Sequence, residues 1–158
     1  MRIAYENEIL KPPEIVFPWL AEPEKAMIWQ KNVKGGEIIL NKPEIIGTTF
    51  KEIIEEDGRS LEMYGTITRY IKDKIIGFHI KSKIHEFEVG YSVEETEKGT
   101  KISIEAIIRW KFPMNVISLF IGKKMEAGLI KQIESEIIEL KKICETDSKN
   151  RRFACGSD

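Results

Sequence analysis

The chain has 158 residues, a formal net charge of −1, an isoelectric point near 6.2, and 42% hydrophobic and 32% charged residues. This length is typical of one domain with a real core, and the aliphatic content argues against a disordered chain. A protein that neutralises nucleic-acid phosphates normally has a basic excess, so we expect no nucleic-acid partner.

No window of the sequence reaches the ~18 uninterrupted apolar residues of a membrane span. The N-terminal sequence MRIAYENEIL becomes acidic too soon for a signal peptide. Cys144, in a helical pattern, and Cys155, near the C-terminus, predict reduced thiols rather than a disulfide framework. We therefore expect a cytoplasmic protein.

The N-terminal part of the sequence predicts a strand followed by two short helices. RIAYENEIL has the pattern of a strand, and PPEIVFPWLAE begins with two prolines and carries apolar residues at helical spacing. Pro18 should kink this first helix or limit it to a turn or two. PEKAMIWQK predicts the second helix, with Pro23 as its first residue.

From Glu37 onward the apolar residues recur with a period of two, which predicts strands. Asp57-Gly58 is a strong hairpin signal, and tight turns follow at 72–74 and at Lys98-Gly99. The alternation places Ile71 on the apolar face of its strand and Tyr70 on the polar face. Strands with one apolar face, joined by short turns, predict an antiparallel meander.

The C-terminal part predicts one long helix of about 30 residues, ~45 Å at 1.5 Å per residue. Its apolar stripe consists of Met125, Leu129, Ile133, Ile137, Leu140 and Cys144. We expect Ile133 and Ile137 to be fully buried and Glu136 to face water. Residues 1–146 are expected to form a single domain, and residues 147–158, which have no apolar period, a flexible tail.

This order of elements, together with several local sequences, resembles the START-like proteins, a superfamily also called SRPBCC. The matching segments are Trp19 or Trp29 in the short helices, Gly47 in IGTTFKEI, the hairpin GTITRYIKDKIIGFHI, KGTKISIEAIIRW and ESEIIELKKICE. The resemblance covers about Arg2 to Glu145 and implies an α+β helix-grip fold, a curved antiparallel sheet wrapped around the C-terminal helix. It also implies a hydrophobic cavity between sheet and helix, without a catalytic motif.

The side chains expected to line this cavity come from the apolar faces of the strands and of the last helix. They are Met63, Arg69, Phe78, His85, Phe87, Tyr91, Trp110, Phe120, Met125 and Leu129. His85 has two interpretations, a proton shuttle or ligand anchor, and a polar residue at a strand end, which we favour. Arg69 either points inward, where it needs an anionic partner, or is turned to water by a bulge or the strand end. At Tyr91, a core tyrosine with its hydroxyl at the rim is at least as good an explanation as a ligand contact.

Two features of the last helix leave alternatives open. Gly128, in the helix interior, either allows close packing or leaves room for a ligand. The segment FPMNVISLFIGKK is too apolar for a helix packed on one face only. We expect Val116 and Leu119, with Trp19 or Trp29, to form an apolar mouth of the cavity. The rival explanation is a homodimer contact through residues 116–121.

Three classes of function remain, because no catalytic, phosphate-binding or metal-binding motif occurs. Binding or transport of a small hydrophobic molecule requires only the cavity, so we rank it first. An enzyme of the cyclase or dehydratase kind, acting on a polyketide-like or other lipophilic substrate, needs converging polar groups. A protein-interaction module, similar to a co-chaperone, needs exposed apolar surface. No cofactor and no metal are expected.

Overall fold

The computed structural model describes the backbone of residues 1–154 and the side chains of residues 1–146. The expected flexible tail, 147–158, therefore has no described side chains, and its last four residues lie outside the described residues altogether. The elements in chain order are β1 (Arg2–Ile9), α1 (Pro13–Ala21), a 3₁₀ turn (Pro23–Lys25), α2 (Ala26–Trp29), β2 (Val33–Leu40), β3 (Thr49–Glu56), β4 (Arg59–Ile71), β5 (Ile75–Lys81), β6 (His85–Glu95), β7 (Thr100–Trp110) and α3 (Met114–Ala154).

The seven strands form one antiparallel sheet in the order β1-β7-β6-β5-β4-β3-β2. Asp57 and Gly58 both have positive φ angles, which is the geometry of the hairpin turn predicted between β3 and β4. The alternation in β7 places Ile102, Ile104, Ala106 and Ile108 in the core. The α+β helix-grip fold expected from the sequence is thus confirmed.

A β-bulge in β4 corrects the predicted faces at the end of that strand. The register with β5 shifts between Ile67 and Arg69, so one extra residue is inserted. Since side chains alternate with a period of two, the insertion exchanges the two faces for every residue that follows. Tyr70 consequently packs into the core against Phe17, with ring centroids 5.8 Å apart, whereas Ile71 is exposed.

The long helix α3 is anchored by its second half. Ile137, Leu140 and Cys144 are fully buried, and the helix packs against β1, β7, α1 and α2. Ile133 is only partly buried, contrary to expectation, because it borders the cavity described below. No helix within the described residues is long and apolar enough to cross a membrane.

Candidate functional site

A cavity of about 520 Å³ lies between the inner face of the sheet and the helices. Side chains from all seven strands and from α1, α2 and α3 contribute to its wall, which is mainly apolar. This volume lies within the usual range for small-molecule sites, about 300–1,000 Å³. The curvature of the sheet around α3 therefore leaves space that the side chains do not fill.

Most of the side chains expected in the cavity wall are found there. Gly128 lies beside them on α3, and an added Cβ there would have no atom within 4 Å. Of the two alternatives for this glycine, the structure therefore supports open room rather than close packing. The expected residues that lie in the wall are Met63, Phe78, His85, Phe87, Tyr91, Trp110, Met125 and Leu129, with both Trp19 and Trp29.

Arg69 is a correction to the prediction, because the bulge in β4 turns its side chain to the outer face of the sheet. The side chain is exposed and lies across Gly77 and Gly90. Both glycines leave room for it, since a Cβ added at either position would collide with the guanidinium group or its stem. Arg69 is thus a surface residue with no access to the cavity.

The structure also corrects the predictions for Phe120 and for Val116 and Leu119, the two mouth residues expected on α3. Phe120 is 84% exposed and Leu119 82% exposed, and Val116 is exposed as well. None of the three lies in the cavity wall. The first turns of α3 therefore leave these side chains uncovered. Together with Phe112, Ile117 and Ile121, which are also exposed, these residues form what we call the α3 apolar patch.

Four aromatic rings contact one another edge to face along the cavity wall. Phe50 contacts Phe78 at 5.6 Å between ring centroids, Phe78 contacts Tyr91 at 6.3 Å, and Tyr91 contacts Trp29 at 6.4 Å. Gly65 lies under Phe50 and must be glycine, because an added Cβ would overlap the phenyl ring. These contacts link β3, β5, β6 and α2 and give the cavity a fixed aromatic side.

His85 begins β6 and occupies one end of the cavity. Its ring stacks on Trp110, with centroids 5.3 Å apart and 24° between the planes, and also contacts Phe87. Ser82 Oγ lies within hydrogen-bonding distance of His85 Nδ1. Burial lowers the pKa of the imidazole, so the neutral form is favoured at neutral pH. His85 is thus a locally bonded side chain at a strand end, as in the favoured interpretation, and it also reaches the cavity. Its role as a proton shuttle or ligand anchor stays a prediction.

Glu52 is a cavity residue that the sequence analysis missed. Its side chain is only 7% exposed and lies in the cavity wall, opposite Met63 in the β3–β4 register. Among the described residues it has no hydrogen-bond or ion-pair partner. Removal from water raises the pKa of this carboxyl to about 7.

The expectation that Glu136 faces water is wrong. It is 8% exposed and lies in the cavity wall, where Gln132 Nε2 donates a hydrogen bond of 3.1 Å to its Oε1. Burial raises the pKa of Glu136, and Gln132 and Lys31 act in the opposite direction. The pKa of Tyr91 is raised by burial first, then by the negative charges of Glu136 and Glu52. Two glutamates from opposite walls therefore lie near one tyrosine.

Both glutamates could have been found from the sequence pattern. Glu52 alternates with Phe50 and Ile54, which places it on the inner face of β3. Glu136 lies three residues after Ile133 and four before Leu140, beside the apolar stripe of α3. The rule that charged residues face water hides both positions. Within the described part of the chain, no group of three or more His, Cys, Asp or Glu side chains could hold a metal ion.

Comparison with solved structures identifies the fold. The chain is similar to TTHA0849 from Thermus thermophilus, with a TM-score of 0.79 and 15% identity over 94% of this chain and 99% of that one. It is also similar to Ara h 8.0201, with a TM-score of 0.70 and 14% identity over 92% and 98%. A START superfamily protein from Mycobacterium smegmatis matches with a TM-score of 0.68 and 15% identity over 88% and 98%.

The protein therefore has the START-like helix-grip fold over almost its whole described length. No protein-family model matches the sequence, and no curated protein matches it significantly. At these identities the likeness defines the fold, and the function has to be inferred from this chain's own cavity.

Proposed function

We propose that the protein binds or carries a small hydrophobic molecule in the cavity between the sheet and α3. The observation that carries this proposal is the apolar cavity of about 520 Å³ itself. A void of this size forfeits contacts among the side chains around it, and a ligand of matching shape restores them. The few polar side chains in the wall suit the orientation of such a molecule.

The START-like fold of the similar proteins is consistent with this proposal. Trp19, Trp29 and Trp110 are the three tryptophans of the chain, and all of them lie in the cavity wall. A molecule that enters the cavity should consequently change the intrinsic fluorescence of the protein, which offers a direct measurement of binding.

The test uses N-phenyl-1-naphthylamine, a neutral fluorescent hydrophobic probe, with two matched glycine variants on α3. Gly128 borders the cavity, whereas Gly122 lies outside its wall, and an added Cβ has free space at either position. Gly128→Phe should fill part of the cavity and weaken probe binding about tenfold or more, equivalent to about 1.4 kcal/mol. Gly122→Phe should leave the probe affinity unchanged.

Two results would contradict the proposal. One is the absence of saturable binding, by probe fluorescence and by tryptophan quenching alike. The other is an unchanged probe affinity in Gly128→Phe, because the probe would then bind outside the cavity, at a surface such as the exposed α3 apolar patch. Native mass spectrometry of the purified protein adds the mass of any small molecule that remains bound.

A second candidate is an enzyme that acts on a lipophilic substrate in the same cavity. The observation that favours it is the Glu52 carboxyl, whose pKa of about 7 would suit proton transfer at neutral pH. Its discriminating test is turnover of lactone, enone or polyketide-like substrates. A rate that Glu52→Gln lowers about 100-fold would favour the enzyme, whereas binding without turnover favours the carrier.

A further inference from the structure

Acidic side chains outnumber basic ones in the cavity wall. Among the described residues, the wall contains four glutamates, Glu22, Glu52, Glu56 and Glu136, and no lysine or arginine. Glu22 forms an ion pair with Lys25, and Glu56 is exposed. The two buried carboxyls, Glu52 and Glu136, are therefore the ones that shape the interior.

Glu52 differs from the other three glutamates because it is buried and has no hydrogen-bond or ion-pair partner within the described residues. An ionised carboxylate removed from water without a partner is costly, so buried charges are normally paired. Glu136 already receives a hydrogen bond from Gln132, whereas the partner of Glu52 has to come from the cavity.

The aromatic side of the cavity adjoins the two carboxyls. Phe50 precedes Glu52 by two residues on β3. The charges of Glu136 and Glu52 both raise the pKa of Tyr91. Trp29 contacts the Tyr91 ring at 6.4 Å between centroids. Aromatic faces attract cations, and the attraction is stronger where water is excluded. Carboxylates and aromatic rings together form a surrounding that suits a positive group and disfavours a negative one.

We propose that the hydrophobic molecule bound in the cavity carries a protonated amine, held by the carboxylates of Glu52 and Glu136 beside the hydroxyl of Tyr91. The apolar part of the molecule fills the remainder of the cavity, towards Met63 and Trp110. This inference depends on the proposed binding function and adds the chemical class of the ligand.

The test compares two probes of the same shape, 2-(naphthalen-2-yl)ethylamine and 2-(naphthalen-2-yl)ethanol, by isothermal titration calorimetry at pH 8. The wild-type protein should bind the amine about tenfold or more tighter than the alcohol, since tenfold corresponds to about 1.4 kcal/mol of charge pairing. Glu52→Gln should remove this preference, because the amine loses its anionic partner and the alcohol has no charge to pair. Glu55→Gln, an exposed glutamate on the same strand, is the matched control and should bind like the wild type.

The outcomes separate the two proposals. Equal affinities of the wild type for amine and alcohol, or a preference that survives in both Glu52→Gln and Glu136→Gln, would overturn the amine inference while the binding function stands. Failure of both probes and of N-phenyl-1-naphthylamine to bind would overturn the binding function itself. Should Glu52→Gln fail to fold by circular dichroism, the amine preference in Glu136→Gln and Tyr91→Phe decides, because both side chains are placed around the same amine.

Discussion

The indole N–H of Trp29 donates a hydrogen bond of 3.0 Å to the backbone carbonyl of Trp19. Both side chains line the cavity, so this bond fixes α2 against the end of α1 at the site itself. Pro18 lies within α1, which ends three residues later at Ala21. The hydrogen bond from the Trp29 side chain therefore connects two helices that are both short.

We predict that Trp29→Phe lowers the free energy of unfolding by about 1–3 kcal/mol, because it removes the hydrogen bond and part of the buried ring. Chemical denaturation followed by circular dichroism measures the change. Met27→Ala is the control, since Met27 is on the same helix and exposed, and it should have little effect. Equal effects of the two substitutions would show that the bond contributes nothing.

The packing of the sheet against α3 predicts that substitutions at two adjacent isoleucines change the free energy of unfolding by very different amounts. Ile137 is fully buried and Ile138 is 44% exposed. Ile137→Ala should cost about 2–5 kcal/mol of unfolding free energy, as expected for a cavity-forming change in a core. Ile138→Ala should cost about 1 kcal/mol or less. A loss below about half a kcal/mol at Ile137 would contradict the packing of α3 on the sheet.

Burial of Glu52 predicts a pH dependence of stability. Its carboxyl stays protonated in the folded state up to a pKa of about 7, whereas the ordinary value for this group is 4.5. The folded state therefore binds more protons between these two pH values, and the free energy of unfolding falls as the pH rises through this window. The total loss is about 3 kcal/mol at ~1.36 kcal/mol per pKa unit.

Glu52→Gln should remove this pH dependence and make the protein more stable than the wild type at pH 8, with little difference at pH 4.5. Urea unfolding of both proteins at the two pH values gives the comparison. Glu136, Tyr91 and His85 remain in the variant, so their titration cancels in the difference. A difference between wild type and variant that does not change with pH would contradict the burial of Glu52.

The α3 apolar patch predicts self-association. Contiguous exposed apolar surface of this kind marks an interaction site. We therefore adopt as the prediction for it the rival explanation given above, a homodimer contact through residues 116–121. Leu119→Asp should shift the mass measured by sedimentation equilibrium from dimer towards monomer. Probe affinity should not change, since Leu119 lies outside the cavity wall. A wild-type protein that remains monomeric at all concentrations would contradict the dimer.

The fold could be predicted from the sequence because each element has a strong local signal. The period of two in the strands, Asp57-Gly58 at the hairpin and the stripe that contains Ile137 all depend on neighbouring residues. The helix-grip arrangement is what the resemblance of this order of elements to the START-like proteins implies. For the same reason the alternation along a strand indicates which apolar side chains, such as Met63 and Phe78, point towards the cavity.

The errors concern positions where tertiary structure overrides the local pattern. The bulge in β4, which turns Arg69 outward, depends on how β4 pairs with β5. The exposure of Phe120 depends on which turns of α3 are covered by other elements, and the helical period does not predict that. Glu52 is a different kind of error: its alternation with Phe50 and Ile54 places it on the inner face, but a buried carboxyl conflicts with the preference of charged residues for water.

The uneven anchoring of α3 divides one helix into two regions of different local stability. Backbone amides near Leu140 and Cys144 should exchange their hydrogens only when the whole domain unfolds. Amides from Val116 to about Gly128, where few side chains are covered, should exchange through brief local opening. Met125 and Leu129 lie in the cavity wall at this less stable end, so a bound molecule should slow exchange there. The same helix would then be rigid near Leu140, whereas the local stability of its first turns would depend on whether the cavity is filled.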